Sequence, residues 1–177
     1  MENDETLVEY LRRSYQAVDG LWFSMVETAD DFDHALELDH EVWQVLPKIQ
    51  ARKARELTGA VGNGIGDLYR CFQLKLQADG HEFEVVTKPG ELRFIVKQCP
   101  WLALLEKSGR THLAPAIAEA ICPTEARVWC EEFGGEFRSE MTELMCTGAR
   151  TCQIVFIRES PQEQQAEPPR PVARPQT

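Results

Sequence analysis

The chain has 177 residues, 43% of them hydrophobic, and carries 29 Asp and Glu against 19 Lys and Arg for a net charge of -10. One domain with a real core fits that length. The acidic balance argues against nucleic acid and an anionic membrane as partners, and no run of about 18 apolar residues is present to span a bilayer.

The opening MENDETLVEY lacks the basic start and apolar run of a signal peptide, so the chain is read as cytoplasmic, where thiols stay reduced. Leu7, Leu11, Tyr15, Val18, Trp22 and Val26 recur at steps of three and four, which predicts a helix over 5–27. Asp30, Asp31 and Asp33 supply capping side chains for a second helix over 31–57. Its apolar stripe is Ala35, Leu38, Val42, Val45, Leu46, Ile49 and Leu57, and Pro47 is expected to kink it. Gly59, Gly62, Gly64 and Gly66 follow as a connector. No strand precedes them and no Gly-Lys-Ser/Thr ending follows, so they do not make a phosphate loop.

A third helix over 66–78 ends at Asp79-Gly80. The period then shortens: 81–87 and 91–98, rich in Phe, Val and Ile and joined by Lys88-Pro89-Gly90, read as a hairpin. Helices are expected over 100–108, over 111–121, and from Cys122-Pro123 to Gly134-Gly135, with strands over 136–146 and 152–158. The Pro- and Gln-rich tail, 159–177, cannot bury enough surface to offset its ordering entropy and is expected to be disordered. Helices, hairpin, helices, hairpin predicts an α+β fold: N-terminal helices plus a small antiparallel sheet of about four strands covered by helices. The single domain is placed at 1–158, with a helical part over 1–79 and a sheet and cysteine part over 80–158.

The dipeptide Cys-Pro occurs at Cys99-Pro100 and at Cys122-Pro123, each time at an expected helix start. Proline suits the first helical position. Each cysteine is thereby placed at an N-cap, where the macrodipole and free N–H groups should lower a thiol pKa. Cys146 and Cys152 flank a turn. Cys99, Cys122, Cys146 and Cys152 are therefore the candidate site. Cys99 or Cys122 would be the nucleophile, or all four would hold Zn²⁺ or an iron–sulfur cluster. The gaps of 22, 23 and 5 residues match no zinc-ribbon spacing, and any one cysteine taken singly is better read as a small buried hydrophobe. Cys71 and Cys130 are read as core.

A thiolate nucleophile needs a base or cation nearby; His112 beside Arg110, and His40 between Asp39 and Glu41, are the candidates. Asp39 lies one turn before Trp43 beside the apolar stripe, where an acid needs a cation or a ligand. Asp39, Trp43, Lys48 and Arg110 form a candidate substrate-binding set suited to a small zwitterion. Arg52 and Arg55 read as ion-pairing residues on a wet helix face.

The segments Val18-Asp19-Gly20-Leu21-Trp22-Phe23 and Leu38 through Arg52, with Cys99-Pro100-Trp101, Ser108-Gly109-Arg110, Cys122-Pro123, Glu132-Phe133-Gly134, Cys146-Thr147-Gly148 and Cys152, carry a resemblance over about residues 15–157. They resemble a prokaryotic family related to the L-2-amino-thiazoline-4-carboxylic acid hydrolases. Those enzymes open a thiazoline ring to give N-carbamoyl-cysteine. The resemblance implies a small-molecule site involving the shared cysteines and a hydrolase-like activity on a C–N or C–S bond. The alternative is a sulfur-liganded metal-binding or small-ligand-binding module without turnover.

Overall fold

The computed structural model describes residues 2–159; the expected disordered tail from residue 160 onward lies outside the described residues. Helix α1 (Glu2–Ala29) is followed by α2 (Phe32–Thr58), whose start is fixed by Asp31. The Asp31 carboxylate accepts the His34 N–H at 2.9 Å, taking one of the donors a helix start leaves unpaired. Gly59 closes α2 at φ 67, and its N–H donates to the Arg55 carbonyl. Pro47 lies buried inside α2, which continues through it. Helix α3 (Ile65–Asp79) ends on Gly80.

Strands β1 (Glu82–Lys88), β2 (Glu91–Gln98), β3 (Phe137–Glu143) and β4 (Cys152–Arg158) form one antiparallel sheet in the order β1-β2-β4-β3. The fold is the expected α+β. Leu92, Phe94 and Val96 alternate on β2, so the pleat sends all three to one face. There they meet Leu68, Phe72 and Leu76 of α3, together with Trp129 and Phe133. Phe72 sits edge-on to Phe94, Trp129 and Phe156 at 5.0, 5.1 and 4.9 Å, the favoured geometry for aromatic quadrupoles. Cys71 and Cys130 belong to this core, as read from the sequence.

The Cys99-Pro100 pair opens α4 (Pro100–Lys107) as expected. Cys122-Pro123 does not open a helix. A 3₁₀ turn (Thr111–Leu113) leads into one helix, α5 (Ala114–Glu132), with Pro115 in its first turn and Pro123 in its interior. An interior proline costs about 3 kcal/mol, because it leaves one carbonyl unpaired and crowds the preceding turn. Burial of Ile121, Ala126, Val128 and Trp129 along α5 offsets that cost. Thr124 Oγ1 donates to the Ala120 carbonyl at 3.0 Å, and His40 Nε2 of α2 lies 2.8 Å from the same hydroxyl. His40 is thus engaged in helix packing.

Arg52 and Arg55 are more than surface pairing partners. Arg52 Nε and Nη2 grip Glu132 at 2.9 and 3.1 Å, while Arg55 donates to the Gly62 and Glu132 carbonyls and stacks over Phe133 at 3.8 Å. Together they tie α2 to the end of α5. The strand expected over 136–146 ends at Glu143, so Cys146, expected at its last position, lies instead in a second 3₁₀ turn (Met145–Thr147). No helix among the described residues is long and apolar enough to cross a membrane.

Candidate functional site

A cavity of about 560 Å³ lies among α1, α2, α3, α4, α5 and the ends of β2 and β4. Its walls are mostly apolar: Phe72, Val96, Leu102, Ala118, Ile121 and Ile154 face it. Trp43 and Trp101 also line it, edge-on to each other at 6.2 Å, with Tyr15 edge-on to Trp101 at 5.7 Å. The ionisable lining falls into three groups.

The first centres on Lys75, carried by the buried face of α3. Its Nζ lies 2.5 Å from Glu125 Oε1 on α5 and 3.2 Å from Asp79 Oδ2 one turn along α3. Burial alone would lower the Lys75 pKa, but the two carboxylates raise it further than burial lowers it, so the ammonium is kept charged. Glu125 is raised, burial outweighing Lys75. Gln16 Nε2 of α1 donates to the Asp79 carbonyl at 3.1 Å, and Arg12 Nε donates to the Ala78 carbonyl at 2.7 Å, pinning α1 to the end of α3. His81 also lines the cavity. Burial, helped by Lys75, pulls its pKa down to about 3, and its Nδ1 is buried without a hydrogen-bond partner.

The second group is Asp19 of α1 and Asp39 of α2. Burial and the charge of Asp19 push Asp39 up to about 7, against the Trp43 side-chain hydrogen bond; burial pushes Asp19 up to about 6. Among the described residues, no cationic side chain pairs with either. Arg110 lines the cavity too, but its guanidinium is engaged by Glu27 and by Ser24 Oγ, the latter at 2.8 Å. Of the expected substrate-binding set, Asp39, Trp43 and Arg110 come together here. Lys48 does not reach the cavity.

The third group is the four candidate cysteines. Cys99 at the N-cap of α4, Cys122 in mid α5, Cys146 in the 3₁₀ turn and Cys152 at the start of β4 all line this one cavity. Met145 N–H donates to Cys152 Sγ at 3.2 Å. The lowering of the thiol pKa expected at Cys99 and Cys122 is not found. Burial pushes Cys99 and Cys152 up, Cys146 to about 12, and Cys122 well above its usual value, where Glu125 and the other three sulfurs add to the effect. At Cys99 the N–H groups of Leu102 and Trp101 oppose burial, as a helix start should, without reversing it and without closing a cap hydrogen bond. Cys122 has no helix start to face. Among the described residues, no group of three or more His, Cys, Asp or Glu side chains is set to hold a metal ion. His112 does not line the cavity.

Sequence reasoning passed over Lys75 and Glu125, and took His81 for a solvated side chain where the fold turns it to the cavity. Lys75 carried a readable signal: it falls on the same face as Leu68, Cys71, Phe72 and Leu76, where a charge requires a partner. His81 gave none, since it sits at a turn.

No curated protein matches the chain. A solved structure of similar shape is the crystal structure of the phenol-responsive sensory domain of the transcription activator PoxR with phenol, at 13% identity and a TM-score of 0.48, over 81% of this chain and 73% of that one. Residues 2–109, from α1 to just past α4, match the model described as a family of unknown function (DUF6125), and the chain belongs to that family.

Proposed function

We propose that the chain is a small-molecule-binding module whose cavity takes a mostly apolar ligand bearing a protonated nitrogen. The observation that supports this is the cavity itself. Its volume of about 560 Å³ and its apolar walls with a few convergent polar groups suit a small organic molecule. The apolar lining favours the body of such a molecule by removing it from water. Asp19 and Asp39 face the cavity without a counter-charge, and an ammonium between them would supply one and draw both to ionise.

Titration with phenethylamine, followed by the fluorescence of the lining Trp43 and Trp101 and by calorimetry, tests the reading. Saturable binding is expected, weaker for ethylbenzene and weakened about tenfold by Asp39→Asn, a change of about 1.4 kcal/mol. Absence of saturable binding by either probe overturns the binding module. Equal binding of the two probes overturns the nitrogen.

The resemblance to the thiazoline-carboxylate hydrolases supports a second reading. In it, Cys99 or Cys122 attacks a C–N or C–S bond, or the four thiols bind Zn²⁺ or an iron–sulfur cluster. Burial weighs against the nucleophile, because the thiol form is the weaker nucleophile. Metal binding would require the sulfurs to shift together and lose their protons. About one Zn or Fe per purified chain, lost when Cys99→Ser and Cys152→Ser are combined, is the result that would favour this reading over the first.

A further inference from the structure

We infer that the outer faces of α1 and α2 are the interface of a homodimer. Helix α1 spans 28 residues, yet Gln16 is its one buried residue among those described. A helix of that length normally owes its stability to an apolar face packed on something else. The face that α1 turns inward carries Arg12, Gln16, Asp19 and Phe23, and its strongest apolar row points outward. Leu7, Leu11, Val18, Leu21 and Met25 are each more than half exposed, as are the neighbouring Tyr10 and Trp22. On α2 the same holds for Val42, Val45 and Ile49.

The spacing of these residues identifies the occupant. Positions 7, 11, 14, 18, 21 and 25 step by four and three in turn, and so do 38, 42, 45 and 49. That 3.5-residue period is the signature of helices that pack along a common seam. The outward row of α1 is broken only at Ser14, and that of α2 begins at the less exposed Leu38. Two copies, each offering two such helices, would close into a four-helix layer by an isologous contact.

The area is also right. The outward apolar side chains expose roughly 1,000 Å² in all, above the ~300–600 Å² of the largest patch on an ordinary monomer and near the ~800 Å² per partner of a stable complex. Residues 160–177 offer little to match it by composition, with a single large apolar side chain, Val172. A net charge of -10 disfavours an anionic lipid surface. Leu21 lies both on the seam and on the cavity wall, so the second copy would also close one side of the cavity.

Sedimentation equilibrium of the full chain across micromolar concentrations tests the inference. The expected mass is twice the 20.2 kDa of one chain. Val18→Glu combined with Val45→Glu should weaken association by at least about a hundredfold, since each glutamate would be buried against its copy. Both positions are exposed in the single chain, so the far-UV circular dichroism of the variant should match the parent. Leu57→Glu, exposed on α2 but off the seam, should leave the mass at two chains. A parent that stays monomeric overturns the inference, whether or not it adsorbs to neutral phosphatidylcholine vesicles. So does a double variant that still dimerises, or a Leu57→Glu chain that dissociates equally.

Discussion

Lys75 Nζ lies 2.5 Å from Glu125 Oε1, an ion pair between α3 and α5 made inside the wall of an apolar cavity. Asp79 makes it a triad. One ammonium thus serves two carboxylates, Asp79 on its own helix and Glu125 on α5.

Lys75→Met should therefore cost about 3–5 kcal/mol, because it leaves two buried carboxylates without a cation. Combining it with Glu125→Gln should recover a large part of that loss. Urea denaturation of the single and double variants measures both, and the coupling between them should exceed about 1 kcal/mol.

Asp39 fixes a pH dependence. Its folded pKa, about 7, stands above that of an unfolded aspartate. Such a group stabilises the fold while protonated in both states, at low pH, and that contribution is lost as pH rises through 7. Asp39→Asn should accordingly gain on the parent between pH 5 and pH 8 by about 1–2 kcal/mol, a figure reduced for the solvent that reaches this half-buried group. Thermal melts of both proteins at the two pH values check the sign. A gain that shrinks toward pH 8 would count against the assignment.

His81 works in the opposite direction. Burial holds its folded pKa near 3, below that of an unfolded histidine, so the fold loses stability as pH falls from above 6.5 toward 3. His81→Phe, which keeps a ring in place, should flatten that part of the acid limb in a pH series of melts.

The thiols should be slow. With burial raising Cys99, Cys122, Cys146 and Cys152, iodoacetamide at pH 7 should alkylate each at least about tenfold more slowly in the native protein than in urea. Peptide mass spectrometry over time reads this site by site. A single fast cysteine would revive the nucleophile.

Ala118 is buried and faces the cavity. Ala118→Phe would place a ring in space now unfilled, so phenethylamine binding should fall at least about tenfold while Tm moves by only a few degrees.

The sheet and the helix order were legible because strands and helices carry different apolar periods, and the change of period after Gly80 is abrupt. The faces of α1 and α2 were less so. Tyr15 and Val26 turn inward while Leu11, Val18 and Trp22 turn outward, although all five share one helical stripe by count. Periodicity reports that a helix has an apolar side and is silent on how many such sides it has. At Cys122-Pro123 a local preference misled. Proline favours a helix start, but Pro115 already occupies that place, and core packing carries α5 through the second proline. The four cysteines were grouped from the two Cys-Pro dipeptides and the turn between Cys146 and Cys152, and nothing in their spacing told that one cavity would gather them. The protonation of Cys99 and Cys122 was misread, because a cap lowers a thiol pKa only where water or dipoles outweigh burial, and these two sulfurs lie under apolar cover.

Strand β4 is the last element of the described chain yet sits inside the sheet, between β2 and β3. During synthesis β2 must wait, with one edge unpaired, until residue 158 has left the ribosome. Until then the nascent hairpin presents Leu92, Phe94 and Val96 with an open backbone ladder beside them, the combination that recruits other strands. Any pause in translation before residue 158 lengthens that exposure, so the centre of this sheet is the part most open to miscapture while the chain is being made.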